Sequence, residues 1–436
     1  MKEANDRAVA AALANVSRQR LAELCSDMVD IASPTGQERA LAIHLAGEMR
    51  SIGIDSEVQE VEGDLVNAIG YLGAGRGEGR SGQSLLLYAP IDTVTTGDAT
   101  VDLPWAGPEL RDDMVPRAFR GGTNDDVVVG LGAQNPKGHG ACVLMAAEAL
   151  RRAEVGLSGE LAIGFGGGGM PSNRRRSDLP DGHGRGCAAM VDYLRPDHAV
   201  IAKTGWAVSW EEVGLTWFTV EVRGSHTYVG SRHLLPYRNA IADAGQIVAG
   251  LERWFEQWAE DHRDGLVAPQ GVVAAIEGGW PHMAAFTTAV CRFHVDLRLS
   301  PRTTPAEAAR SFGAIIEQLA AEIGADVSWA QGVAIPGTTT DPDAEIIQTA
   351  IAAWEQIEGR SHEPIAGLSG ATDANILRAH GVPTARIGLP KVGAHHFDQK
   401  VDFQFGMNAV DVADLERLTQ HLIRVAIAVC GPTSGT

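Results

Sequence analysis

Three apolar runs and two glycine-containing segments of this chain lead to polar groups or to glycines. Residues 84–89 (SLLLYA) lead into Pro90-Ile91-Asp92, and residues 160–165 (ELAIGF) into four glycines, Gly166 to Gly169. Residues 198–202 lead into Lys203, residues 130–138 (GLGAQNPKG) contain Asn135 and Lys137, and Gly393-Ala394 precedes His395 and His396. Carboxylate, amide, amine and imidazole are the groups that transfer protons, hold anions or ligate metals. Short continuous apolar runs bounded by Gly and Pro read as strands buried on both faces. In an open α/β sheet, ligands bind outside the carboxyl ends of such strands, so these five segments are the candidate site. His139, at the start of a helix, is expected neutral, because a helix N-terminus disfavours the protonated ring.

The elements that must position these groups follow from periodicity. Residues 17–53 read as one or two helices, with Leu21, Leu24, Met28 and Ile31, then Ala40, Ile43, Leu45 and Met49, at spacings of mostly three and four. Ser33 to Glu38 interrupt them, and Thr35 with Glu38 has the spacing of a capping box for the second helix. Strands are expected at 55–61 and 66–71 and a helix at 138–152. Strands alternating with helices indicate a mostly parallel sheet flanked by helices. From Val213 the texture changes. Residues 215–222 (LTWFTVEV) and 292–299 (RFHVDLRL) alternate, with helices at 238–260 and 305–323. The α/β texture returns with a helix at 343–359, a strand at 383–387 and a helix at 413–429. The expected fold is α/β: a discontinuous catalytic domain, 1–213 and 334–436, with an inserted α+β open-faced sandwich, 214–333, as lid and dimerisation domain.

Composition narrows the function. The 436 residues carry 36 Lys and Arg against 55 Asp and Glu, a net charge of −19, with a pI near 5.1. That balance argues against nucleic-acid and anionic-membrane partners. No apolar stretch of transmembrane length occurs, and the N-terminus lacks the pattern of a signal peptide. The cysteines, Cys25, Cys142, Cys187, Cys291 and Cys430, are scattered and odd in number. They suit neither a disulfide framework nor a Cys-x-x-Cys zinc site, and a cytoplasmic protein is expected.

The order and spacing of these segments resemble the M20 family of metallopeptidases and amidohydrolases, which includes acetylornithine deacetylase and succinyl-diaminopimelate desuccinylase. The resemblance runs over nearly the whole chain. It is carried by Ser33 to Glu38, Lys137-Gly138, Val213 to Trp217, Gly224-Ser225-His226, Asn239-Ala240-Ile241, Asp296-Leu297-Arg298, Gly370 to Ala374 and Gly393-Ala394-His395. It implies a site for two divalent ions, and there this chain departs. The family's first ligand, a His, falls on Pro90, although the Asp that orients it persists as Asp92. The bridging Asp falls on Asn135, the Glu pair within Gly166 to Gly169, the next carboxylate on Lys203 and the last on Gln399. The final His persists as His395. Carboxylates lost at four positions, one of them the Glu pair, and one added cation do not suit a pair of ions carrying four positive charges. The expectation is one labile divalent transition metal, Mn or Zn, or none, with His395, Asn135 and Asp92 as ligands and the substrate completing the shell.

The resemblance also implies roles. His226 corresponds to a lid His that reaches a neighbouring subunit's site and stabilises the oxyanion, which demands a homodimer or higher homo-oligomer. The catalytic candidates are His226, Asp92, Lys203 and His395. Arg298, Arg238, Asn239 and Trp206 are the substrate-binding candidates, the arginines by bidentate contact with a carboxylate. Each has a plainer reading: a loop hydrogen bond for His395, backbone amides on Asp92, lid salt bridges for the arginines, a core position for Trp206. The expected function is hydrolysis of a non-peptide C–N bond in a small aromatic or acyl carboxylate, such as an ortho-aminobenzoate whose ring amine is replaced by water. The alternatives are a metal-dependent amide deacylase or carboxypeptidase of the same family, and a non-catalytic binder of a small acid.

Overall fold

The computed structural model describes residues 2–73, 82–96, 127–171, 179–203, 205–392 and 407–431. They form two compact units, one of Met1–Trp210, Thr340–Pro364 and Thr372–Thr436, the other of Glu211–Thr339 and Ile365–Ala371. The short return of 365–371 to the second unit has no counterpart in the sequence reading.

The first unit opens with helices α1 (Lys2–Leu13), α2 (Arg18–Val29) and α3 (Arg39–Ser51). Then come β1 (Asp55–Glu62), β2 (Leu65–Gly73), β3 (Leu85–Pro90), β4 (Val127–Val129), α4 (Lys137–Arg152), β5 (Glu160–Gly166), α5 (Arg185–Leu194) and β6 (His198–Ala202). The second unit contributes β7 (Glu211–Glu212), β8 (Gly214–Arg223), α6 (Ala240–Asp261), β9 (Gly271–Gly278), β10 (Val290–Leu299), α7 (Pro305–Ile323), β11 (Asp326–Ile335) and β12 (Thr338–Thr339). The first unit resumes with α8 (Glu345–Glu358), α9 (Ala374–Ala379), β13 (Thr384–Ile387), β14 (Ala409–Asp411) and α10 (Val412–Cys430).

A six-stranded sheet in the order β1-β2-β5-β3-β6-β13 is the frame of the first unit. The pairs β3–β5, β3–β6 and β6–β13 are parallel, so Pro90, Gly166, Ala202 and Ile387 end at one edge. Every residue of β3 and β5 is buried, as expected for strands covered on both faces. Helix α4 is buried along almost its whole length, against α2, α10 and β3. Its start is anchored by Lys137, whose Nζ donates to the Ile31 carbonyl at 2.6 Å, and burial lowers that amine's pKa to about 8.

The expected capping box at Thr35 and Glu38 does not form. Helix α3 begins only at Arg39, Glu38 makes no side-chain cap bond, and Thr35 gives its hydroxyl to Asp92 instead. The spacing was right for a cap, but a buried carboxylate 57 residues away is the stronger acceptor.

The second unit is a four-stranded antiparallel sheet, β11-β8-β10-β9, with α6 and α7 packed on one face. Alternate residues of β8 and β10 enter that core, where Phe218 stacks on Phe312 at 4.0 Å. Thr304 and Glu307 form a true capping box at the start of α7. Strand β9 is an edge strand and exposes Val272 and Ile276.

Candidate functional site

At the ends of β3 and β5, three buried carboxyl groups surround a loop of glycines. Asp92 is 5% exposed, and its Oδ2 accepts from the Thr35 hydroxyl at 2.8 Å and the Met170 N–H at 3.0 Å. Its Oδ1 takes no hydrogen bond among the described residues. Asp373, just before α9, accepts at Oδ2 from the buried Tyr88 hydroxyl at 2.6 Å. Glu38 accepts at Oε1 from the Gly36 N–H at 2.8 Å and the Gly168 N–H at 2.9 Å. Its Oε2 is buried without a partner among the described residues. Burial, reinforced by the charge of Asp92, pushes the Glu38 carboxyl up to about 8, so at neutral pH it holds its proton. Asn67 completes the frame by accepting from the Gly167 N–H at 3.0 Å. Side chains from three separate segments thus hold the amides of Gly167, Gly168 and Met170.

The glycine run is what lets these groups approach. A Cβ on Gly166 would overlap the Tyr88 ring, and one on Gly167 would lie 2.7 Å from the Val66 carbonyl. Gly168 has φ +68, where other residues are strained. At Gly169 a Cβ would sit 2.9 Å from Asp92 Oδ1 and 3.1 Å from Asp373 Oδ2, so the two oxygens are no farther apart than those two legs combined.

The neighbouring strand ends have the opposite sign. Lys203 follows β6, and Arg386 is buried within β13. Both lie near enough to His139 to depress its pKa, which burial already holds well below the usual imidazole value. His139 is fully buried and its Nε2 accepts from the Leu389 N–H at 3.1 Å. Its ring is therefore neutral, with the hydrogen on Nδ1. Asn135 has a buried side-chain oxygen with no partner among the described residues.

The sequence profile of peptidase family M20/M25/M40 matches residues 86–426. The chain belongs to this family. It therefore stands among hydrolases of peptide and amide C–N bonds. Solved structures share the fold at low identity. The di-peptidase Dug1p from Saccharomyces cerevisiae is 9% identical with a TM-score of 0.72, covering 98% of this chain and 99% of that one. Human carnosine dipeptidase 1 is 13% identical, TM-score 0.70, covering 97% and 98%. The Bacillus subtilis YXEP protein, described as a dinuclear metal binding peptidase, is 16% identical, TM-score 0.61, covering 95% and 99%.

M20 enzymes depend on divalent metal, which needs several donor side chains grouped together. Among the described residues no three His, Cys, Asp or Glu side chains are grouped to hold an ion. Tyr88, the Val66 carbonyl, Asp92 and Asp373 crowd the glycines at the end of β5. A cation, Lys203, follows β6. These residues do not fit a co-catalytic ion pair. His395 and His396 lie outside the described residues.

The remaining candidates have partners of their own. Trp206 donates through Nε1 to Glu358 at 2.8 Å, and the Arg417 guanidinium lies 4.6 Å over its ring. The ring proposed for substrate is thereby built into the packing of α8 and α10. In the second unit, Arg298 is bidentate to Asp296 at 2.7 and 2.9 Å, Arg238 binds Asp243 and the Ile323 carbonyl, and the Asn239 side chain caps α6 by accepting from Ile241 N–H. The substrate-carboxylate role read for the arginines thus meets an internal carboxylate partner in each case. His226 is exposed, stacks on Phe286, and bonds through Nδ1 to the Thr287 carbonyl at 2.7 Å. A carbonyl only accepts, so Nδ1 carries the hydrogen, and Nε2 becomes a donor only when the ring is protonated.

Sequence reasoning named Asp92, Asn135 and Lys203 as candidates, did not name Tyr88, quoted Asp373 only within the Gly370–Ala374 resemblance, and saw in Glu38 only a cap. The available signal was the glycine run itself, four positions where other groups must come close.

Proposed function

We propose that this protein hydrolyses a C–N bond in a small molecule carrying both a nitrogen and a carboxylate. The best-specified candidate is 5-nitroanthranilate, converted with water to 5-nitrosalicylate and ammonia. The observation that carries the reading is the order of charge along the strand ends: carboxylates at β5 and β3, cations at β6 and β13. Adjacent strands are about 4.8 Å apart, so a compact amino acid spans the change of sign. In this reading Lys203 attracts the substrate carboxylate, and a carboxylate beside Gly169 takes a proton from the attacking water. The water oxygen bonds to the ring carbon, the nitro group takes up the charge, and the nitrogen leaves as ammonia with the proton returned to it. One labile Mn²⁺ or Zn²⁺, completed by the substrate, is the most metal that the reading admits.

The family's ordinary chemistry, deacylation or carboxypeptidase cleavage with bound metal, is the second reading, favoured by the family match. Both units considered, the exposed apolar residues of β9 support self-association through the second unit. The deciding experiment follows ammonia and nitrosalicylate from 5-nitroanthranilate beside a panel of N-acyl amino acids and dipeptides, with metal counted in the same preparations. Ammonia release with an inert panel is the expected result. Cleavage of the panel, with two ions per chain, would establish the ordinary amidase instead. No product from any substrate by folded protein would sink the hydrolase reading.

A further inference from the structure

On the second unit's sheet, the face away from α6 and α7 carries a chain of three polar groups. Phe218 and Val220 of β8 and Phe293 and Val295 of β10 are buried in the core beneath the helices. Thr219 and His294 alternate with them, stand directly opposite one another in register, and turn to the other face. The Thr219 hydroxyl is 3.1 Å from His294 Nδ1, and His294 Nε2 is 3.1 Å from Glu277 Oε1 on β9. A carboxylate only accepts, so Nε2 carries the hydrogen of the neutral ring, and Nδ1 is left to accept from the hydroxyl. Arg292, opposite Glu277 in register, turns to Glu221 at 3.0 Å instead. The His294 side chain is 41% exposed and that of Glu277 66%, so solutes can reach the group. Hydroxyl, imidazole and carboxylate in this order are the arrangement in which a base draws the proton from a nucleophile while a third group orients the base.

We propose that Thr219 is an acyl-accepting nucleophile with His294 as its general base, and that activated carboxylic esters are the class of substrate it takes. Thr219 Oγ1 bonds to the ester carbonyl carbon while its proton passes to His294 Nδ1. The ester C–O bond breaks, and the alcohol or phenol leaves with that proton. Water then attacks the Thr219 ester, His294 takes a proton from it and returns it to Thr219 Oγ1, and the carboxylic acid leaves. Glu277 is a positioning residue: it fixes the tautomer of the ring and favours the imidazolium that forms midway. The backbone amides of β8 and β10 are engaged with strands on both sides, so they offer no donors to an oxyanion. The leaving group must therefore depart with little help, which is why the substrate class is activated esters. The site lies wholly in the second unit and uses none of the strand-end residues of the first.

The test is p-nitrophenyl acetate with the full chain at neutral pH, reading nitrophenolate release and, by peptide mass spectrometry, which residue carries the acetyl group. Wild type is expected to be acetylated on Thr219. Thr219→Val, which keeps the branched shape without the hydroxyl, should lose that modification. His294→Asn should slow acetylation of Thr219 at least about tenfold, and Glu277→Gln at least about threefold. Melting temperatures should show that the variants fold. Glu277→Asp restores the charge and should recover part of the rate that Glu277→Gln loses, which a merely structural role of the side chain would not require. If His294→Asn does not fold, His294→Gln takes its place. Acetyl groups confined to lysines or other side chains, with Thr219 unmodified, overturn the proposal. So does acetylation of Thr219 at the wild-type rate in the folded His294 or Glu277→Gln variant, because the hydroxyl then reacts without the base or its orienting carboxylate.

Discussion

Glu38 is a carboxyl group that the loop amides hold but water does not reach. Its folded pKa of about 8 lies above the ordinary 4.5, so the native state binds the extra proton between those values. Stability from this group is therefore full below the unfolded value and is lost as pH rises through about 8. Glutamine mimics the protonated acid and cannot ionise beside Asp92. Glu38→Gln is expected to match wild type in urea denaturation at pH 4.5. At pH 8.5 it should exceed wild type by on the order of 2–4 kcal/mol, each displaced unit being worth about 1.4. A difference that does not grow with pH would show that Glu38 ionises as an ordinary carboxylate. The sequence offered this residue only as a cap, because nothing local reveals that Gly168 lies beside it 130 residues on.

At the scale of elements, α4 shows two rules in conflict. Alanine is normally the better helix former, by about 1 kcal/mol over glycine. At Gly138, in the first turn of α4, a Cβ would run into the Ala133 carbonyl and approach Leu389 to 3.0 Å. Backbone cannot move aside as a flexible side chain does, so overpacking wins. Gly138→Ala is expected to destabilise by about 1–3 kcal/mol despite its propensity, measured by urea denaturation. Equal or greater stability would mean that the Asn135 turn yields freely. Helix α4 was legible in the sequence within a residue because its apolar pattern is continuous. The start of α3 was not, because Thr35 answers to Asp92 across the fold.

For the molecule as a whole, a charge of −19 opposes association at long range, and an exposed apolar edge favours it at contact. On the second unit, Val272 and Ile276 of β9 are joined in exposure by Trp280 and Met283. If copies pair along this edge, sedimentation at tens of micromolar should give twice the 46.1 kDa chain mass, more firmly in added salt. Ile276→Lys should return the monomer. A wild type that sediments as a monomer in both low and high salt would remove the edge, and with it the role of His226 in a neighbour's site.

Local pattern determined most of the elements. Buried parallel strands must be continuously apolar, and half-buried strands and helices must alternate or recur, so β3, β5, β6 and the alternating strands of the second unit were readable from order alone. The same order placed Asp92 and Lys203 at strand ends, and the family resemblance implied that carboxylates were missing beside them. Only tertiary structure decided what stands in their place. Tyr88 and Asp373 meet across 285 residues of chain, and the space they meet in is recorded in sequence only as glycine. Glycine reports that something comes close without naming it, because it contributes no side chain of its own to constrain the partner.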